Sequence, residues 1–65
     1  MNKKLYPGLR AEMARNGDTQ EKLGKEIGLS KVAVNLKLKG KNQWTIGEIE
    51  KICKYYKKDY YTLFK

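Results

Sequence analysis

Residues 31–41 read "KVAVNLKLKGK", with apolar side chains at Val32, Val34, Leu36 and Leu38. Strict alternation is the pattern of a half-buried strand, whose successive side chains point to opposite faces. The flanks point elsewhere. Gly28 before the run suits a tight turn, Ser30 is a favourable helix N-cap, and Gly40 behind the run is a favourable helix stop. A strand here would also need a partner strand, and the remaining sequence offers no good candidate. The run therefore reads as a helix. At about 100° per residue, positions two apart fall on nearly opposite sides. Val34 and Leu38 then share one face. Val32 and Leu36 share the other, with Asn35 and Lys39 beside them and Lys31 at the N-terminal edge. One face belongs to a core, so the second must meet something else.

Size narrows the architecture. A chain of 65 residues makes one small domain, 1–65, and buries too little surface for a sheet-rich fold, so a compact helical miniature is expected. Hydrophobic residues make up 40%, enough for a core but too evenly spread for a membrane span. The opening "MNKKLYPG" lacks the apolar run of a signal peptide, which makes the cytoplasm the expected address. A formal charge of +8 on so short a chain favours a polyanionic partner. No enzyme is expected. There is no His, and the single Cys, Cys53, has neither an imidazole nor a second thiol to work with, which also disfavours metal, disulfide and other cofactor chemistry. The glycines form no phosphate-cradling loop.

Local signals divide the chain into helices. Pro7 suits a first helical turn, Leu9 and Met13 follow at helical spacing, and Asn16-Gly17 ends the run. Thr19 caps a second helix, with Glu21 in its first turn and Leu23 and Ile27 four apart on its inner face. Gly24 weakens that helix locally, so it marks a close approach of another helix. In "WTIGEI", Thr45 and Glu48 form a capping box and Trp44 and Ile49 a hydrophobic staple. The helix that follows uses Ile46, Ile49, Ile52, Cys53 and Tyr56 as its apolar face. Asp59 caps a last short turn, whose Leu63 and Phe64 close the core. Trp44 and Cys53 are expected inside, and the tyrosines of "YYKKDYY" in helix packing or subunit contact.

A second helix at about 19–27, the turn "GLS", and a third helix at about 30–39 make a helix-turn-helix, whose second member can enter the DNA major groove. Thr19-Gln20, Leu23-Gly24, Ile27-Gly28, Ser30, Val34, Gly40 and "TIGEIEKICKYY" fall at linked spacings that resemble the phage repressor and Cro-like helix-turn-helix family, from about Leu9 to Phe64. The resemblance implies an all-α, lambda-repressor-like bundle of about five short helices. It also implies a transcriptional regulator that binds double-stranded DNA in a sequence-specific manner, as a homodimer on a palindromic operator. By position, Lys31, Val32, Asn35 and Leu36 would read base edges. Thr19, Gln20, Ser30, Lys39, Lys41 and Asn42 would hold the backbone. The chemistry suits those roles, since Lys can donate to guanine, Asn can pair with adenine, and Val or Leu can pack on a thymine methyl.

Four residues depart from the family's habit: Val32 and Leu36 are apolar where polar readers are common, Gly24 stands where Ala is more frequent, and Lys37 stands where an apolar residue is frequent. Lys31, Lys37, Lys39 and Lys41, with no acid between them, are expected on the DNA side. The apolar pair admits a second reading. The same fold would then be a protein-interaction module, antitoxin-like or repressor-modulating, holding a protein partner through Val32 and Leu36.

Overall fold

The computed structural model describes residues 5–64; of the expected domain 1–65, residues 1–4 and 65 lie outside it. Five helices follow one another: α1 (Pro7–Arg15), α2 (Gln20–Ile27), α3 (Lys31–Leu38), α4 (Ile46–Tyr56) and α5 (Tyr60–Phe64). No strand occurs among the described residues, and the alternating run is helical.

The starts of α2 to α5 are each fixed by a local side-chain hydrogen bond, whereas α1 has no such cap and begins with Pro7. Thr19 Oγ1 accepts from the Lys22 N–H at 3.1 Å, Ser30 Oγ from Ala33 at 3.1 Å, and Asp59 Oδ1 from Thr62 at 2.8 Å. At α4 the box is reciprocal: the Glu48 N–H donates to Thr45 Oγ1, and the Thr45 N–H donates to Glu48 Oε1. A cap of this kind is typically worth about 1 kcal/mol, which matters when α2 and α3 have eight residues each. Helices this short do not persist alone in water, so packing must supply the rest.

That packing is one cluster, with Leu9, Leu23, Val34, Leu38, Ile52 and Leu63 at its centre and Met13, Ile27, Trp44, Tyr56 and Phe64 around them. Burying each large aliphatic or aromatic side chain is worth about 1.5–3 kcal/mol. The rings of Tyr6, Trp44 and Phe64 meet edge to face, at centroid distances of 5.8–6.3 Å, and tie the start of α1 and the α3–α4 loop to α5.

Two expectations are corrected. Ile46 is 76% exposed and does not belong to the inner face of α4. It lies about 120° around the helix from the fully buried Ile52, while the buried stripe runs through Ile52 and Tyr56, with Tyr55 partly buried beside them. Cys53 is half-buried at the edge of the same stripe.

Candidate nucleic-acid interface

The α2–turn–α3 unit is built around Gly24. A Cβ at that position would collide with the carbonyl of Leu29 in the turn. The close approach expected at Gly24 is therefore that of the turn leading into α3, and not of a separate helix. Gly28 takes a left-handed φ of +80°, and the Leu29 N–H donates to the Gly24 carbonyl at 2.8 Å. The chain thus reverses tightly onto α2, and α2 packs most extensively against α3.

On α3, Val34 and Leu38 are buried, whereas Val32 is 66% exposed and Lys31 and Lys39 lie in solvent. Asn35 and Leu36 are half-buried. The Asn35 side-chain amide donates to Gln20 Oε1 at 3.1 Å, which joins the first residue of α2 to the outward side of α3. Thr19 and Ser30 are exposed at the starts of the two helices. There the first N–H groups have no acceptor within the helix and form an electropositive end suited to phosphate.

The C-terminal end of α3 is organised equally tightly. Gly40 adopts φ +80°, its N–H donates to the Lys37 carbonyl at 3.1 Å, and the Lys41 N–H donates to the Leu36 carbonyl at 2.9 Å. This paired arrangement is a Schellman motif, which requires a left-handed residue such as glycine after the helix. It turns the exposed Lys41 and Asn42 back beside the last turn of α3, next to Lys39.

Lys37 is not part of this cationic surface. It is buried, its ammonium lies 3.0 Å from Glu48 Oε1, and it donates to the Gln43 carbonyl at 2.9 Å above the Trp44 ring. The reason is angular: Lys37 falls only about 60° from Val34 on the helix, on the border of the core arc. Burial alone would raise the Glu48 carboxyl, but the Thr45 N–H and Lys37 outweigh it and hold Glu48 below its ordinary range. The pair locks the end of α3 to the start of α4.

Two further residues position the interface without being prominent in the sequence. Arg10 on α1 donates through Nη2 to the Leu38 carbonyl at 2.9 Å, satisfying the C-terminal end of α3. Asp18, just before the α2 cap, is buried and accepts from the Tyr56 hydroxyl at 2.8 Å, with Lys22 Nζ 3.2 Å away. Burial alone would raise its carboxyl. Hydrogen bonds from Tyr56, Lys22 and Tyr55 reverse that effect and hold it below the usual range. The Tyr56 hydroxyl is pushed well up by burial and by Asp18. Both contacts span long stretches of chain, 28 residues for Arg10 and 38 for Asp18.

The geometry is a capped helix-turn-helix with an uncovered, cation-flanked second helix. Residues 8–63 match the family model described as the Cro/C1-type HTH DNA-binding domain. The chain belongs to this family. No curated protein and no solved structure gave a match. The Cro/C1-type assignment covers every helix except Pro7 at the start of α1 and Phe64 at the end of α5. It also accounts for the resemblance carried by Thr19-Gln20, Gly24, Ser30 and Gly40. No described helix of this Cro/C1-type domain is long and apolar enough to cross a membrane.

Proposed function

We propose that this Cro/C1-type domain is a sequence-specific binder of double-stranded DNA that regulates transcription in the cytoplasm, with α3 lying in the major groove. The observation that carries the reading is the division of α3. Val34 and Leu38 are sealed in the core while Val32 stands 66% exposed between Lys31 and Lys39, so an ordered helix presents methyl groups and cations together. In this reading Lys31, Val32, Asn35 and Leu36 face base edges, where a thymine methyl suits the aliphatic groups and adenine suits the amide. Thr19, Gln20, Ser30, Lys39, Lys41 and Asn42 face the sugar-phosphate backbone, which positions the protein without specifying sequence. A homodimer on a two-fold operator, with half-sites about one helical turn apart, is the arrangement that suits a reader of this size.

Selection of bound duplexes from a random pool at moderate salt tests this. A palindromic consensus is the expected result. Recovery of no preferred sequence would overturn the proposal.

A further inference from the structure

We propose that the cleft between the start of α1, the α3–α4 loop and α5 is a binding site for a small, neutral aromatic molecule that carries a hydrogen-bond acceptor, such as an aryl ketone. The cleft measures about 210 Å³ and is lined by Tyr6, Gln43, Trp44, Ile49, Tyr60 and Phe64. The lining is thus four rings, one aliphatic side chain, one amide and no charged group. An apolar cavity of about 150 Å³ is enough to hold benzene, so this cleft has room for one substituted ring or two fused ones. The rings of Tyr6, Trp44 and Phe64 stand edge to face, and Tyr60 lies within 18° of parallel to Phe64. Such a set offers both edges and faces to a further ring. Ile49 and Tyr60 also line a larger groove along α4, which leaves space for a substituent outside the cleft.

Trp44 supplies a second, independent observation that specifies the ligand's chemistry. It is nine-tenths buried, and its Nε1 is the one buried side-chain donor or acceptor without a partner among the described residues. The buried charged groups all have theirs: Glu12 pairs with Arg15, Asp18 with Lys22 and Lys37 with Glu48. A buried indole N–H normally finds an acceptor. An aromatic molecule in the cleft can bring one in the form of a carbonyl oxygen. A neutral acceptor suits the site better than a carboxylate, because the nearest cation, Lys37 over the Trp44 ring, is already committed to Glu48.

The cleft also adjoins the joint that fixes the end of α3. Lys37 donates to the Gln43 carbonyl at 2.9 Å, and Lys41 and Asn42 directly precede Gln43 in the chain. A molecule seated against Gln43 and Trp44 therefore bears on the segment that carries these two residues. Under the proposed function it acts as an effector of DNA binding, and this consequence alone rests on the DNA reading.

Nuclear magnetic resonance of the full chain, labelled with nitrogen-15 and free of DNA, tests the site directly, since Trp44 is the only tryptophan and its indole N–H gives a single peak. Titration with acetophenone should move that peak downfield and saturate with a Kd of a few millimolar or tighter. Toluene, a ring without an acceptor, should not move it downfield. Benzoate should bind at least about tenfold more weakly than acetophenone, because its charge would be buried unpaired. Trp44→Phe, followed through the Gln43 backbone amide, should lose about threefold or more of the affinity for acetophenone relative to toluene. Tyr60→Ala removes a wall that is 45% exposed and should weaken acetophenone about fivefold or more, whereas Tyr60→Phe should bind like the wild-type chain. An indole peak that stays in place up to the solubility limit of acetophenone, tighter binding of benzoate, or affinity indifferent to Tyr60→Ala would overturn the proposal. Saturating acetophenone should also change the affinity for a selected duplex by about fivefold or more, and an unchanged affinity would overturn the effector role. Failure to select any duplex, with the indole shift intact, would instead count against the DNA reading alone.

Discussion

Gln20 and Asn35, fifteen residues apart, are joined by a 3.1 Å hydrogen bond from the Asn35 amide to the Gln20 carbonyl oxygen. The first residue of α2 therefore orients a side chain on the outward side of α3. This bond uses one of the two Asn35 amide protons, and among the described residues Oδ1 has no partner, so one donor and one acceptor remain, the pair that matches N7 and the N6 amine of adenine in the major groove. Asn35→Ala should cost about 1–3 kcal/mol of discrimination at one base pair. Gln20→Ala should lose part of the same discrimination because the amide is no longer oriented. Competition titrations of the selected duplex against its single-base variants measure both effects. The double variant should lose less than the sum of the two, and strict additivity would show that the two amides act separately.

Lys41 owes its place to the Schellman turn, and its side chain has no specific partner among the described residues, so its expected contribution is that of a charge near phosphate. Lys41→Gln should weaken every duplex by a similar factor and lower the slope of log K against log salt by about one. Titrations at several salt concentrations on two unrelated sequences check this. A loss confined to one sequence would move Lys41 from the backbone to the bases.

Lys37 makes the opposite prediction. Its ammonium is committed to Glu48 and to the Gln43 carbonyl, so Lys37→Ala should leave Glu48 without its cation in a half-buried setting. The expected loss of stability is about 2–3 kcal/mol by urea denaturation. The salt dependence of DNA binding, measured on the folded fraction, should not change. A reduced slope with unaltered stability would return Lys37 to the cationic surface from which the structure removes it.

The contrast between these two lysines shows what was legible in the sequence. Signals that act over three or four residues could be read directly: the caps at Thr19 and Ser30, the Thr45–Glu48 box, and the division of α3 into a Val34–Leu38 side and a Val32 side. Their partners are fixed by helical geometry. Lys37 and Ile46 were misread because both lie at the border of an apolar arc. There the side chain's direction depends on what the neighbouring element offers: a carboxylate for Lys37, open solvent for Ile46. The Arg10–Leu38 and Asp18–Tyr56 contacts join residues whose proximity only the tertiary fold creates, and nothing in their local sequence announces it. Gly24 was half legible, since its cost to the helix signalled a close contact but not that the contact is the turn itself.

Asp18 provides the handle on pH. Its carboxyl is held below the ordinary value of 3.8, because hydrogen bonds from Tyr56, Lys22 and Tyr55 outweigh the opposing effect of burial. Glu48 is likewise held below 4.5. For a group whose folded pKa is depressed, the unfolded chain binds more protons between the two values, so stability rises with pH across that interval. The contribution is complete above the ordinary carboxylate range and is lost as pH falls through the lowered folded value. Thermal melts should therefore show a nearly constant Tm from about pH 7 to pH 5 and a steepening fall below about pH 4. Asp18→Asn keeps an acceptor for the Tyr56 hydroxyl but gives up the charge, with an expected cost of about 1 kcal/mol near neutrality, or roughly 4–8 °C in a domain of this size. Its acid limb should be shallower than that of the wild-type chain. Parallel limbs for the two proteins would mean that Asp18 titrates alike in the folded and unfolded chains and contributes nothing to the acid sensitivity of the fold.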